Sequence, residues 1–313
     1  MRVLVAGATG AIGRPLVPLL STAGHEVIGL TRSADKAEAL RSAGAEAVVA
    51  DALDPVGVER AVADAAPDVV VHQLTALPDD YEPRALAKAY PRTSRLRREG
   101  TRNLLSATRA CGVKRVVAQS IAFIYAPEGG AVKDESARPW VDAPEPFGDA
   151  VAACLELERQ VTEADGLEGV VLRYGFFYGP ATYYGRGGSI ARQVLRRRLP
   201  VVGGGDGVFS YVHVDDAAAA TVAAVEGGAA GVYNVVDDDP APMREWLPFY
   251  AEVLGARRPL RVPAVLARLV AGRAVVEMAT VLRGASNARA RTELGWAPRW
   301  ESWRTGFREG LEG

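Results

Sequence analysis

The chain predicts an α/β fold built on a doubly wound parallel sheet, with a smaller and mostly helical carboxyl-terminal lobe. From Arg2 to about Arg173, short β-branched runs alternate with alanine-rich helical segments. Parallel strands joined by crossover helices require that alternation. Between Ser120 and Phe147 it breaks into a loop rich in proline, glycine and charge, placed directly after a strand. Ligand crevices of such sheets open at the carboxyl ends of the strands. Beyond Tyr174 come aromatics, glycines and one basic helix, and from Met243 onward the pattern is largely helical.

The expected strands are Val3–Ala6, Glu26–Leu30, Ala47–Ala50, Val69–His72, Arg115–Gln119 and Gly169–Arg173. Tyr211 to Val236 reads as a helix and a strand that rejoin this sheet. The main unit therefore comprises residues 1–173 plus 211–236, and the lobe comprises 174–210 plus 237–313. No internal repeat or low-complexity linker interrupts either.

Bulk properties narrow the function. Thirty-seven basic residues face thirty-eight acidic ones, so no global field draws the protein onto nucleic acid or a membrane surface. Arg95-Leu96-Arg97-Arg98 and Arg196-Arg197-Arg198 read as solvated helix faces, since no aromatics interleave with them as a stacking platform needs. Ala264 to Leu282 is broken by Arg268, Arg273 and Glu277, which suits an amphipathic helix better than a membrane span. Cys111 and Cys154 stand far apart in apolar helical contexts and read as buried packing thiols. Three histidines make no zinc set, no metal is expected, and no Gly-x-Ser-x-Gly elbow supports a serine hydrolase. Strand residues begin at Arg2, leaving no room for a leader, so retention in the cytoplasm is expected.

The strongest chemical signal is Gly7-Ala8-Thr9-Gly10-Ala11-Ile12-Gly13, directly after the first strand and opening a helix. One glycine permits the tight turn, the next lets backbone amides approach a pyrophosphate, and the third lets the helix pack closely. Free amides and the positive end of the helix dipole then face the phosphates. A Rossmann-type dinucleotide site is expected there. After the second strand the sequence reads Leu30-Thr31-Arg32-Ser33, with a base where an acid would hold the ribose. Arg32 can pair with a 2′-phosphate through a charge-assisted fork, assisted by Arg14 and Lys36, so NADP(H) is favoured over NAD(H).

With these residues in view, the whole chain resembles the extended short-chain dehydrogenase/reductase family, the group of epimerases and dehydratases. The resemblance covers Asp51-Ala52-Leu53, Gln73-Leu74-Thr75-Ala76, Gly100-Thr101-Arg102-Asn103-Leu104-Leu105 and Leu172-Arg173-Tyr174-Gly175-Phe176-Phe177-Tyr178-Gly179-Pro180. It continues through Tyr211-Val212-His213-Val214-Asp215-Asp216, Val232-Tyr233-Asn234-Val235 and Leu294-Gly295-Trp296-Ala297-Pro298. It implies that Asp51, Ala52 and Leu53 contact adenine, and that Gln73, Leu74 and Thr75 lie beside the ribose and pyrophosphate. Ser120, Tyr174, Gly175 and Phe176 would then pass the nicotinamide. His213 would serve a joint between lobes, with the acids after it capping the next helix. A homodimer through the helix bearing Gly100 to Ala110 is implied by the same analogy.

The departures from the family bear most on chemistry. Its Tyr-x-x-x-Lys pair moves a proton because the lysine charge lowers the phenol pKa. Here Phe147 and Val151 hold those places, Ile121 holds the family's hydroxyl position, and Arg97 replaces its asparagine. Either the chemistry has moved to other side chains, or proton transfer is not needed. Tyr174, Tyr125, Tyr178 and Tyr183 are the candidate relocated acids, with Ser120 and Lys133 as helpers and Tyr174 first among them. For each tyrosine the alternative is a packing aromatic with a satisfied hydroxyl. An NADPH-dependent oxidoreductase acting on a small carbonyl, enone or imine is the expected activity. Its rivals are a nucleotide-sugar epimerase or dehydratase, and a non-catalytic sensor or scaffold that binds the dinucleotide.

Overall fold

The computed structural model describes residues 1–312, apart from the side chains at positions 83 and 84; residue 313, the last of the expected lobe, lies outside them. Seven parallel strands form the central sheet: β1 Arg2–Ala6, β2 Glu26–Thr31, β3 Glu46–Val49, β4 Val69–His72, β5 Arg115–Ile121, β6 Glu168–Tyr174 and β7 Gly231–Val235. Valine-rich runs such as Val69-Val70-Val71 are buried on both faces, as strands of a doubly covered parallel sheet must be. Each expected strand is present, with ends shifted by two residues at most. The seventh, β7, pairs with β6 through Gly231–Val170 to Val235–Tyr174.

Strand order is β7-β6-β5-β4-β1-β2-β3. The chain winds outward from β1 to β3, returns to place β4 beside β1, and then winds outward the other way. The reversal between β1 and β4 opens a crevice at the carboxyl ends of the strands. One face of the sheet is covered by α1 (Gly13–Thr22) and a later helix, Val214–Glu226, whose Leu16, Leu20, Ala217 and Ala224 are fully buried. The other is covered by α3 (Pro55–Ala65), α5 (Thr101–Ala110) and α6 (Phe147–Thr162). Between these stand α2 (Ala34–Ser42) and α4 (Pro83–Arg95). A second, aromatic core gathers Tyr184, Tyr211, Trp246, Tyr250, Trp303 and Phe307.

Four expectations need correction. Arg95-Leu96-Arg97-Arg98 is not a uniformly solvated helix face: a π-helical turn, Leu96–Gly100, lies there between α4 and α5. Its wider winding changes the phase of the helix, and within the basic cluster Arg97 is only 6% exposed, whereas Arg95 and Arg98 pair with Glu99 and Asp149. Ala264 to Leu282 is not one helix but two, Ala264–Ala271 and Arg273–Val281, separated by Gly272 at φ +85°. There Val265, Leu266, Leu269 and Val270 are exposed. Cys111 is exposed at the end of α5, and only Cys154 is a buried thiol. Finally, His213 itself caps the helix after it, accepting from the Asp215 amide at 3.2 Å, while its Nε2 lies 2.9 Å from the Gly310 carbonyl. Asp216 instead accepts the amides of Arg299 and Trp300 at 2.9 and 3.0 Å. Among the described residues no helix is long and apolar enough to cross a membrane.

Candidate functional site

A cleft of about 1120 Å³ runs along the carboxyl ends of the strands, from the glycine turn to the loops after β6. Its floor begins at Gly7, Thr9, Gly10, Ala11, Ile12 and Gly13. Gly7 adopts φ +95°, and a Cβ there would sit 2.7 Å from the Gln73 carbonyl oxygen. At Gly13 a Cβ would lie 2.3 Å from the Ala8 carbonyl oxygen, so only glycine lets α1 start this close to β1. No side chain caps α1, which leaves amides of its first turn for a ligand.

Thr31, Arg32 and Lys36 line the far end of the cleft together with Arg14. Arg14, Arg32 and Lys36 are exposed, and Glu38, two residues after Lys36, is held by Arg41 at 3.2 Å. Ala52, Gln73, Leu74 and Thr75 line the middle. Asp51 and Leu53 do not line the cleft, because the Asp51 carboxylate turns back to accept the Leu53 amide at 3.1 Å and faces Arg92 at 3.4 Å. Buried Gln73 donates through its amide nitrogen to the Tyr174 phenol at 3.2 Å, and its Oε1 has no partner. A buried acceptor left open toward a cleft fits a ligand hydroxyl or amide. The glycine cradle, uncapped helix, open Gln73 acceptor and exposed bases together fit a dinucleotide.

The other end is walled by Phe123, Phe147, Phe176, Tyr183 and Tyr184, with Ser120, Ile121, Tyr174 and Gly175 beneath. Phe147 and Val151, on the first turns of α6, are buried among Ile124, Trp140 and Ala150. Neither can ionise. Ser120 donates to Glu158 Oε1 at 2.6 Å, and Glu158 also receives both arms of Arg173 at 2.8 and 2.6 Å. The Tyr174 hydroxyl lies 2.7 Å from Thr221 Oγ1, whose own proton goes to the Ala217 carbonyl. Tyr174 therefore donates to Thr221, away from the cleft. Burial pushes its pKa up to about 12, against the smaller effects of Thr221 and Gln73. Tyr183 lines the cleft but donates to the Pro78 carbonyl, and burial pushes it up to about 12 as well.

Tyr125 and Tyr178 are not part of the cleft, contrary to expectation. Tyr125 is fully buried, donating to Asn234 Oδ1 at 2.6 Å and accepting from Arg173 at 3.0 Å. Tyr178 is packed edge-on against His213 and Phe307. Tyr125 lies beyond the end of β5 in an isolated bridge to Pro139, and Tyr178 is taken into the aromatic core. Lys133 donates to the Glu128 carbonyl and does not line the cleft.

Arg97 was missed as a site residue. It lines the cleft, although its place in a basic cluster reads as part of a solvated helix face. Nearby, His72 donates from Nε2 to Thr101 at 2.9 Å because its Nδ1 accepts the Leu74 amide at 3.2 Å. Burial, reinforced by the Arg97 charge, pushes His72 down to about 4, so it stays neutral at ordinary pH.

The fold and its cleft define a dinucleotide-binding protein of the extended Rossmann type, and the chain belongs to the NAD dependent epimerase/dehydratase family, whose model matches residues 3–236. Among individual relatives, it is 53% identical over 311 residues to the 3-diazoavenalumate denitrifying reductase of a Streptomyces species, spanning 98% of this chain and 99% of that one. A 4-hydroxy-2-methyl-3-oxo-4-farnesyl-3,4-dihydroquinoline-1-oxide ketoreductase of Stigmatella aurantiaca is 26% identical, with 96% of this chain and 92% of that one covered. The fold is shared with the UDP-glucose 4-epimerase of Thermotoga maritima at a TM-score of 0.78 and 24% identity, over 99% of this chain and 97% of that one.

Proposed function

We propose that the protein is an NADPH-dependent reductase that replaces the diazo group of an aromatic substrate by hydrogen, with release of dinitrogen. One observation carries this: Phe147 and Val151, at the places where the family keeps its tyrosine and lysine, can neither give nor take a proton. Phe147 and Val151 are apolar, and the protons of Ser120, Tyr174 and Tyr183 are all engaged elsewhere. A phenol held near 12 is also a poor acid catalyst, since catalytic pKa values lie near the working pH.

Reduced nicotinamide supplies a hydride. Reducing a carbonyl with it demands a proton as well, whereas replacing a diazonium group does not. In that exchange the carbon–nitrogen bond breaks, its electron pair leaves with dinitrogen, and the hydride forms the new carbon–hydrogen bond. Charge and atoms balance with no proton moved. The relative named as a denitrifying reductase supports the same chemistry. The protein's part is to hold donor and acceptor together and exclude water. Phe123, Phe147, Phe176 and Tyr184 offer flat apolar walls for an aromatic ring.

A second activity, carbonyl reduction with a proton from Tyr174 or water, is supported by the relative named as a ketoreductase. Incubation with benzenediazonium salts and with a ketone panel separates the two. We expect NADPH oxidation matched by dinitrogen release on the diazonium salts, above the uncatalysed rate, and none on ketones. Turnover of ketones alone overturns the assignment.

Arg32 supports the preference for NADPH, as an exposed base at the cleft end where the adenosine ribose would lie. Arg32→Ser is expected to weaken NADPH binding about 10- to 100-fold, the scale of one charge-assisted phosphate contact, and to leave NADH binding within about twofold. Fluorescence titration of both cofactors reads this directly. Equal changes for the two would refute a role at the 2′-phosphate.

A further inference from the structure

Building on the diazo-reductase assignment above, we propose that Arg97 seats a carboxylate of the substrate, so that the substrate is an aromatic carboxylate bearing the diazo group. Arg97 reaches the cleft from the π-helical turn between α4 and α5. Arg97 is 6% exposed, and its Nε has no hydrogen-bond partner. Among the described residues no carboxylate is placed to neutralise it. Glu158 is gripped by both arms of Arg173 and by Ser120. Asp149 is taken by Arg98 at 2.7 Å and Ser94 at 2.6 Å. His72, which feels the Arg97 charge, is neutral, and Tyr90 and Cys154, which feel it too, keep their protons under burial.

A buried guanidinium without a counter-ion is costly unless something arrives to pair with it. The anionic groups of a dinucleotide belong elsewhere, at the glycine turn and beside Arg32. What remains for Arg97 is an anion brought by the substrate. Arginine's planar fork fits a carboxylate through two parallel hydrogen bonds. Phe123, Phe147, Phe176 and Tyr184, which line the same cleft, suit the ring that would carry that carboxylate.

The test compares 4-carboxybenzenediazonium with the diazonium of methyl benzoate, using NADPH-loaded protein. Arg97→Gln is expected to lower kcat/KM about 50-fold for the carboxylate and under threefold for the ester, the discrimination a buried charge-assisted pair provides. NADPH affinity should change less than twofold. The thermal midpoint should hold or rise, because an unpaired buried charge is removed. Arg97→Lys, which keeps the charge and loses the fork, should fall between the two and serves in its place should the glutamine variant not fold. Equal losses on both substrates, or a loss of NADPH affinity, would overturn the assignment. Calorimetry with 4-hydroxycinnamate and its methyl ester on NADP⁺-loaded protein tests the anion site without turnover. Binding of the acid alone, abolished in Arg97→Gln, supports the site even where no diazonium is reduced, which would sink only the reductase assignment. Equal binding of acid and ester overturns the site itself.

Discussion

Replacing Glu158 by alanine is expected to lower the unfolding free energy by about 3–5 kcal/mol, the usual cost of stranding one member of a buried ion pair. Arg173 on β6 and Glu158 on α6 are 5% and 6% exposed and meet through two hydrogen bonds, at 2.8 and 2.6 Å. Burial opposes the charge on Arg173, yet the Glu158 carboxylate outweighs it and holds the guanidinium above its ordinary pKa. The pair also organises its surroundings. Ser120 on β5 donates to Glu158, and Tyr125 accepts from Arg173 while donating to Asn234 of β7. One cluster thereby ties three strands to a helix beneath the cleft. Without the carboxylate, Arg173 keeps only Tyr125 and the Glu135 carbonyl at 3.5 Å. Urea unfolding measures the loss, and the double change Glu158→Leu with Arg173→Met should restore most of it, because no charge is then left stranded. A loss below about 1 kcal/mol for Glu158→Ala would contradict the pairing.

The second large effect concerns the glycine turn. Gly13→Ala is expected to weaken NADPH binding by at least about 100-fold and to lower the thermal midpoint, because its Cβ would meet Ala8 backbone atoms at 2.3 and 2.4 Å. Backbone cannot yield as a flexible side chain can, so α1 must tilt or withdraw from β1. Gly10→Ala provides the contrast. There a Cβ would be 3.3 Å from the Gly7 carbonyl oxygen, with nothing else within 4 Å inside the protein. Its fold should persist while affinity drops about 10-fold, since that methyl enters space meant for phosphate. Fluorescence titration and melting curves distinguish the two. Unchanged NADPH affinity in Gly13→Ala would mean that the dinucleotide does not depend on this turn.

The sheet was legible because its strands are short runs rich in β-branched residues that alternate with alanine-rich helical segments. Runs such as Val69–His72 leave little freedom in where a strand starts. The glycine turn was legible because its spacing has a steric cause that survives without coordinates. What escaped depended on phase and direction. Arg97 is grouped with Arg95 and Arg98 by charge, whereas its direction depends on helical phase, which the π turn Leu96–Gly100 sets. Asp51 and Leu53 are assigned through the family resemblance, and Tyr125 and Tyr178 from an expected place at the crevice, yet local turns and core packing point them elsewhere. Gly272 divides a stretch that the pattern assigns to a single amphipathic helix. Charge counting likewise cannot tell a solvated arginine from a buried one.

The strand order carries a consequence for synthesis. Strand β6 ends at Tyr174, but its outer neighbour, β7, begins only at Gly231. While the intervening polypeptide emerges from the ribosome, the backbone groups on one side of β6 stay unpaired, a template open to any extended segment nearby. The outer side of β6 is thus covered only after Val235 has been delivered.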